Sequence, residues 1–133
     1  MPDPAELWWF LPLGYAITVA IEIPILLVGL SPEHPLQRKL LAGFWLTTCT
    51  YPIVVLVLPL TIEATYGRTN YLAVAETFAP VAECLLFWLA FRTEVKESSG
   101  RISLLRDCFA IVAANLASFL LGGWLYSRTA GFA

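Results

Sequence analysis

Apolar residues run along this chain in four long blocks with short polar breaks between them. The first block extends from Leu7 to Leu30 and stops at Ser31-Pro32. The second extends from Leu40 to Ile62, the third from Tyr71 to Phe91, and the fourth from Leu104 to Tyr126. Each has about the 20 residues that a helix needs to cross a hydrocarbon core. Ser31-Pro-Glu-His-Pro35 cannot continue a helix, because each proline lacks an N–H donor and biases its predecessor away from the α region. Tyr66-Gly67-Arg68-Thr69-Asn70 reads as a short polar turn. Arg92 to Arg101 reads as the longest loop, with Ser98-Ser99-Gly100 as its flexible point. The pattern predicts an all-α, polytopic membrane protein: one membrane domain over residues 1–133 with four transmembrane helices and no room for a separate soluble domain.

Composition agrees with the pattern and narrows the function. Of the 133 residues, 59% are hydrophobic and only 14% charged, against about 25% charged in an ordinary soluble domain. Mean hydropathy is +0.74. These values exclude a water-soluble globular domain and a disordered chain, and a formal net charge of −2 offers nothing to a nucleic-acid backbone. The start of the chain, Met1 to Glu6, carries Asp3 and Glu6 and no Lys or Arg. It lacks the positive region of a secretory signal, so the first block is expected to remain in the mature protein.

Charge placement sets an expected orientation. Arg38, Lys39, Arg92, Lys96, Arg101 and Arg106 lie on or beside the first and third loops, six of the 8 basic residues. Only Arg68 and Arg128 lie on the other side. The excess of positive charge on cytoplasmic loops places segments 31–39 and 92–103 in the cytoplasm and both termini outside, in a plasma or inner membrane. Trp8, Trp9, Tyr66, Tyr71, Trp124 and Tyr126 would mark the outer interface, with Trp45 and Trp88 towards the inner one.

The two halves of the chain share a polar pattern. Glu22 precedes Leu30 by the same interval that separates Glu83 from Phe91. Arg38 precedes Thr47-x-x-Thr50 by the same interval that separates Arg106 from Asn115-x-x-Ser118. Both hairpins run in the same direction. The pattern therefore predicts two tandem parallel-repeat hairpins about a pseudo-two-fold axis along the membrane normal.

The candidate chemistry lies in one layer. Ionisable groups inside a span are costly and usually face the bundle interior. This chain has three, Glu22, Glu76 and Glu83, with no Lys or Arg at comparable depth. Glu22 and Glu83 each lie about 12 Å of helical rise from the cytoplasmic end of their span. Thr47, Thr48, Thr50 and Tyr51 on the second span lie at a similar depth, as do Asn115 and Ser118 on the fourth. Glu76 and Glu83 are seven apart, so they share a face of the third helix. Pro24 follows Glu22 by two residues. Pro52 and Pro80 leave the carbonyls of Thr48 and Glu76 without their helical donors. Carbonyls beside carboxyls suit a hard cation or a protonated acid, and at least one of the glutamates is expected to hold its proton at neutral pH. The competing reading is that these groups only join helices by hydrogen bonds.

Other features carry less. Ala110, Ala114, Ser118 and Gly122 recur every four residues and form a small-residue packing stripe, within the bundle or towards a second copy. Cys49, Cys84 and Cys108 fit neither a disulfide framework nor a metal site. His34 is expected to be solvated in its turn, and Asp107 to sit at the start of the fourth helix, where a carboxylate suits the dipole. No phosphate loop, metalloprotease motif or Cys/His cluster is present. No catalytic residue, cofactor or metal is expected, and an intramembrane enzyme acting on lipid or quinone is the least favoured reading. The favoured one is a small transporter or channel-like protein moving a proton, cation or small polar solute through Glu22 and Glu83, as a homo-oligomer or in a larger complex. The alternative is a non-catalytic subunit or scaffold of a larger membrane complex.

Overall fold

The computed structural model describes residues 4–92 and 100–130. Met1–Asp3, the stretch of the polar loop that holds Lys96 and Ser98-Ser99, and the side chains of Glu6 and Tyr126 lie outside the described residues. Four helices make up the rest: α1 (Pro4–Gly29), α2 (Leu36–Tyr66), α3 (Arg68–Phe91) and α4 (Gly100–Ala130). All four are long and apolar enough to cross a membrane, which suggests a membrane location.

The helices overrun the apolar blocks that predict them. The helix α2 starts at Leu36, directly after the extended Pro35 (φ −64, ψ 156), instead of at Leu40. Its first turn takes in Gln37, Arg38 and Lys39, whose long side chains can lie along apolar surface and keep their polar ends at the rim. The helix α4 likewise begins at Gly100 and not at Leu104, so Asp107 lies well inside the helix and is no N-terminal residue.

Prolines shape α2 without breaking it. Pro52 and Pro59 cannot donate, and two π-helical segments lie beside them: Ile53–Val57 directly after Pro52, and Pro59–Glu63 starting at Pro59. In the wider turns the Leu58 N–H reaches the Ile53 carbonyl and the Ala64 N–H reaches the Pro59 carbonyl. The wider turns keep these N–H groups paired within the helix. The chain then reverses at Gly67 alone, with φ 84 and ψ 169, a conformation open in practice only to glycine.

Each helix packs on its two neighbours in chain order, and α4 closes the ring on α1. The core is made of Leu26, Leu30, Ala42, Leu46, Phe87, Ala110, Ile111 and Ala114. It fills the half of the bundle towards the Ser31–Pro35 turn, called the His34 end below. The outward face is strongly apolar: Trp9, Val28, Ile102 and Phe109 are all largely exposed. A surface of this kind is suited to lipid contact.

At the α1–α4 crossing the backbones approach closely. A Cβ on Gly29 would stand 2.7 Å from the Ala110 Cβ, an atom that no rotamer change can move. Gly29→Val is expected to destabilise the bundle by about 1–3 kcal/mol through overpacking, read as a lower melting temperature in detergent. Gly122→Val should have little effect, because a Cβ there meets nothing within 4 Å.

Candidate functional site: a buried carboxyl layer

The ring of helices brings six of the polar side chains together. Glu22 and Glu83 are 2% and 3% exposed, and their carboxyl groups lie within electrostatic range of each other. Thr47 and Thr50 are one helical turn apart on the inner face of α2, as are Asn115 and Ser118 on α4. The Thr47 hydroxyl bonds Glu22 Oε2 at 2.7 Å and the Ser118 hydroxyl bonds Glu22 Oε1 at 2.7 Å. The Thr50 hydroxyl bonds Glu83 Oε1 at 2.6 Å, and Asn115 Nδ2 donates to Glu83 Oε2 at 2.7 Å. Each glutamate is thus held by one residue of α2 and one of α4.

The partners have spare acceptors. Thr47 Oγ1 lies 2.9 Å from the Gly43 carbonyl, Thr50 Oγ1 3.1 Å from that of Leu46, and Ser118 Oγ 2.9 Å from that of Asn115. A hydroxyl has one proton. When it turns to the carbonyl, its lone pairs face the glutamate and can accept a carboxyl proton. When the carboxyl is ionised, the hydroxyl turns back and donates. All three contacts therefore serve either protonation state with little movement. Asn115 is different, because its two N–H bonds serve Glu83 Oε2 and the Ile111 carbonyl at 3.0 Å. Oε2 of Glu83 is then always an acceptor, and a proton on Glu83 sits at Oε1, facing Thr50.

Three expected members lie elsewhere. Thr48 is turned about 100° from Thr47 around the helix; its hydroxyl bonds the Phe44 carbonyl at 2.6 Å and the Tyr15 hydroxyl at 2.8 Å, on the α1–α2 flank. Tyr51 lies edge-on to Tyr15 with ring centroids 6.0 Å apart, its hydroxyl over Gly14. Glu76 is half-buried and lines a separate groove between α3 and α4. Within the stripe on α4, Ala110 and Ala114 are buried in the core and Ser118 joins the layer.

The structure also builds a second polar cluster, at the His34 end, from residues expected to be solvated or helix-terminal. His34 is 4% exposed and Asp107 2%, and His34 Nε2 lies 2.8 Å from Asp107 Oδ2. The Ser31 N–H donates to Asp107 Oδ1 at 2.7 Å. Arg38 Nη1 lies 3.2 Å from His34 Nδ1. Guanidinium can only donate, so Nδ1 accepts and the ring proton is on Nε2, donated to Asp107. The imidazole stands edge-on to Phe87 at 5.2 Å, and the Arg38 guanidinium lies 4.9 Å over the Phe91 ring.

This cluster contains serine, histidine and aspartate without being a hydrolytic triad. Both ring nitrogens of His34 are committed, to Asp107 and Arg38. The Ser31 hydroxyl bonds the Ser103 carbonyl at 3.2 Å and receives the Ser103 hydroxyl at 2.9 Å. No ring nitrogen is left to take a proton from serine, as nucleophilic catalysis requires. The cluster instead ties the Ser31–Pro35 turn to α2 and α4. Nearby, Lys39 Nζ donates to the Leu27 and Leu30 carbonyls at 3.2 and 3.0 Å, and Arg106 Nε to that of Gly29 at 2.9 Å. These bonds cap the C-terminus of α1, which has no basic residue in its own last turn. A polar turn containing a lone histidine gives no sign in sequence of a carboxylate 73 residues away.

Among the described residues every buried side-chain nitrogen and oxygen has a partner, and no group of three His, Cys, Asp or Glu side chains could hold a metal. Cys49, Cys84 and Cys108 are free. Compared with known proteins, the chain matches no protein-family model, no curated protein and no solved structure.

Proposed function

We propose that this chain is a small integral membrane transporter or channel-like protein whose buried glutamate layer carries a proton or a cation. The observation that supports this reading is the pair of buried carboxyls held by hydroxyls with alternative acceptors. Structural cross-linking needs one fixed donor per carboxyl oxygen. Here three of the four contacts, from Thr47, Ser118 and Thr50, can serve a carboxyl with or without its proton. Such a site gains and loses a proton without leaving a buried group unpaired, which would cost about 1–3 kcal/mol.

The bonding pattern also favours the tandem repeat. Glu22 pairs with the first polar residue of its own hairpin, Thr47, and the second of the other, Ser118. Glu83 pairs with the first of its own, Asn115, and the second of the other, Thr50. Exchanging the two hairpins leaves this scheme unchanged, as a two-fold axis through the layer requires. In the orientation set by basic residues, the His34 end faces the cytoplasm. There the apolar core of Leu30, Leu46, Phe87 and Ile111 separates the layer from the interior solution. Assembly into a homo-oligomer, in a plasma or inner membrane, would complete a pathway that one four-helix bundle leaves little room for.

A non-catalytic subunit or scaffold is the second reading. It is favoured by the far half of α4, where Phe119, Leu120, Trp124 and Leu125 are exposed. Sealed proteoliposomes separate the two. An imposed pH difference, followed with a trapped pH-sensitive dye, should dissipate faster with the protein than without it. Absence of proton or monovalent-cation flux in the folded wild type would reject transport and leave the subunit reading.

A further inference from the structure

Between α3 and α4, outside the layer, lies a groove of about 400 Å³ lined by Glu76, Thr77, Pro80, Val81, Cys84 and Val112. Val81 and Val112 are exposed on the outward apolar face, so the groove opens sideways, where lipid would be. Its size is within the range of small-molecule sites. Its walls are mainly apolar, and its polar groups share one property: each is an acceptor. Glu76 brings a carboxyl that no described donor reaches. Pro80 has no N–H, so the Glu76 carbonyl lacks its helical donor. The Thr77 hydroxyl donates to the Ala73 carbonyl at 2.8 Å, which leaves its lone pairs free. No basic residue lines the groove.

We propose that this groove binds a membrane-partitioned organic ammonium, with its N–H groups on the acceptors of Glu76 and Thr77 and its apolar body along Val81, Cys84 and Val112. An inorganic cation is a poorer match. Hard divalent ions take six or more oxygen ligands, and the groove offers three acceptor groups beside apolar walls. A lipid head group is also a poorer match in depth. Glu76 lies about 7.5 Å of helical rise inside the span that begins at Tyr71, whereas head groups stay at its boundary. A carboxylate in an apolar groove attracts a cation more strongly than one in water does, and the apolar body of an amine supplies the hydrophobic contribution that a metal ion lacks.

The proposal rests on the membrane-spanning part of the reading above and not on flux through the layer. It is tested at equilibrium. The full chain in zwitterionic-lipid nanodiscs is titrated with dansylcadaverine, a primary alkylamine, and fluorescence polarisation is corrected with empty nanodiscs. Saturable binding is expected, weakened about tenfold or more by Glu76→Gln and by acetylation of the probe's amine, since each removes one partner of a charge-assisted contact. Val112→Trp, which fills the groove and leaves the carboxyl intact, should weaken binding as well. Melting temperatures show that the variants are folded. Uptake that does not saturate, or binding unchanged in both variants, would overturn the proposal. Equal loss in Glu83→Gln with none in Glu76→Gln would also overturn it, by placing the amine in the layer. Binding without flux would reject the layer's role and leave the groove, and flux without binding would do the reverse.

Discussion

Glu83→Gln is expected to lower proton flux through the reconstituted protein by about a hundredfold, the usual order for loss of a positioned proton-transfer group. Its melting temperature in detergent should fall only modestly. Both outcomes follow from the bonds around the side chain. Glutamine can accept from Asn115 at its carbonyl oxygen and donate its amide N–H to Thr50 Oγ1. Thr50 then donates to the Leu46 carbonyl, already 3.1 Å away. The second amide N–H has no acceptor among these groups, so a loss of stability of about 1–3 kcal/mol is expected. The variant mimics a glutamic acid that never releases its proton. Flux equal to wild type in a folded Glu83→Gln protein would reduce the layer to helix-joining hydrogen bonds. Glu22→Gln should behave in the same way, because either of its hydroxyl partners can accept from an amide.

The largest stability effect is expected at the other end of the bundle, in Asp107→Ala. Asp107 satisfies two buried donors, the Ser31 N–H and His34 Nε2. Leaving both without an acceptor costs about 3 kcal/mol or more. Asp107→Asn should do little better. With its oxygen towards Ser31, its amide donates to His34 Nε2, which moves the ring proton to Nδ1, against the Arg38 guanidinium. With the amide flipped, its N–H faces the Ser31 N–H. Neither orientation satisfies all the donors. Denaturation of both variants in one detergent checks this, and an Asp107→Asn protein close to wild type in stability would show that the tautomer deduced from Arg38 is wrong.

These two sites differ in how legible they are in sequence. Glu22 and Glu83 could be found because an ionisable residue in an apolar run has no local explanation. Their partners could be found because Thr47, Thr50, Asn115 and Ser118 occur at matching depth with one-turn spacing. Depth alone is insufficient, however. Thr48 and Tyr51 share the depth of Thr47 and Thr50 yet point to the α1 flank, because rotation about the helix axis is set by packing. Glu76 was legible as an acid within an apolar run, but nothing local places it beside a groove and not in the layer. The His34–Asp107 pair was not legible, since its members stand 73 residues apart and each has a bland local explanation, a polar turn or a helix terminus.

The α2 helix shows the same division. Pro52 and Pro59 are plain in the sequence, and so is the expectation that they disturb the hydrogen bonding. Whether the helix kinks, stops or widens depends on what else the backbone can reach. Here it widens into π turns, in which the Leu58 and Ala64 N–H groups reach one residue further back, so the helix continues without a break.

By itself the sequence determined the number of helices, their suitability for a membrane and the position of each polar group along its helix. Those properties depend on composition and on rise along a helix, both of which are local. Only the tertiary structure decided which polar groups meet: the ring order that brings Glu22 and Glu83 together, the closure of the Ser31–Pro35 turn onto Asp107, and the isolation of Glu76 in its own groove. Those depend on how each helix is rotated about its axis. In four spans that are apolar nearly all round, side-chain packing at close contacts such as Gly29 on Ala110 sets that rotation, because hydrophobic periodicity is too weak to do so.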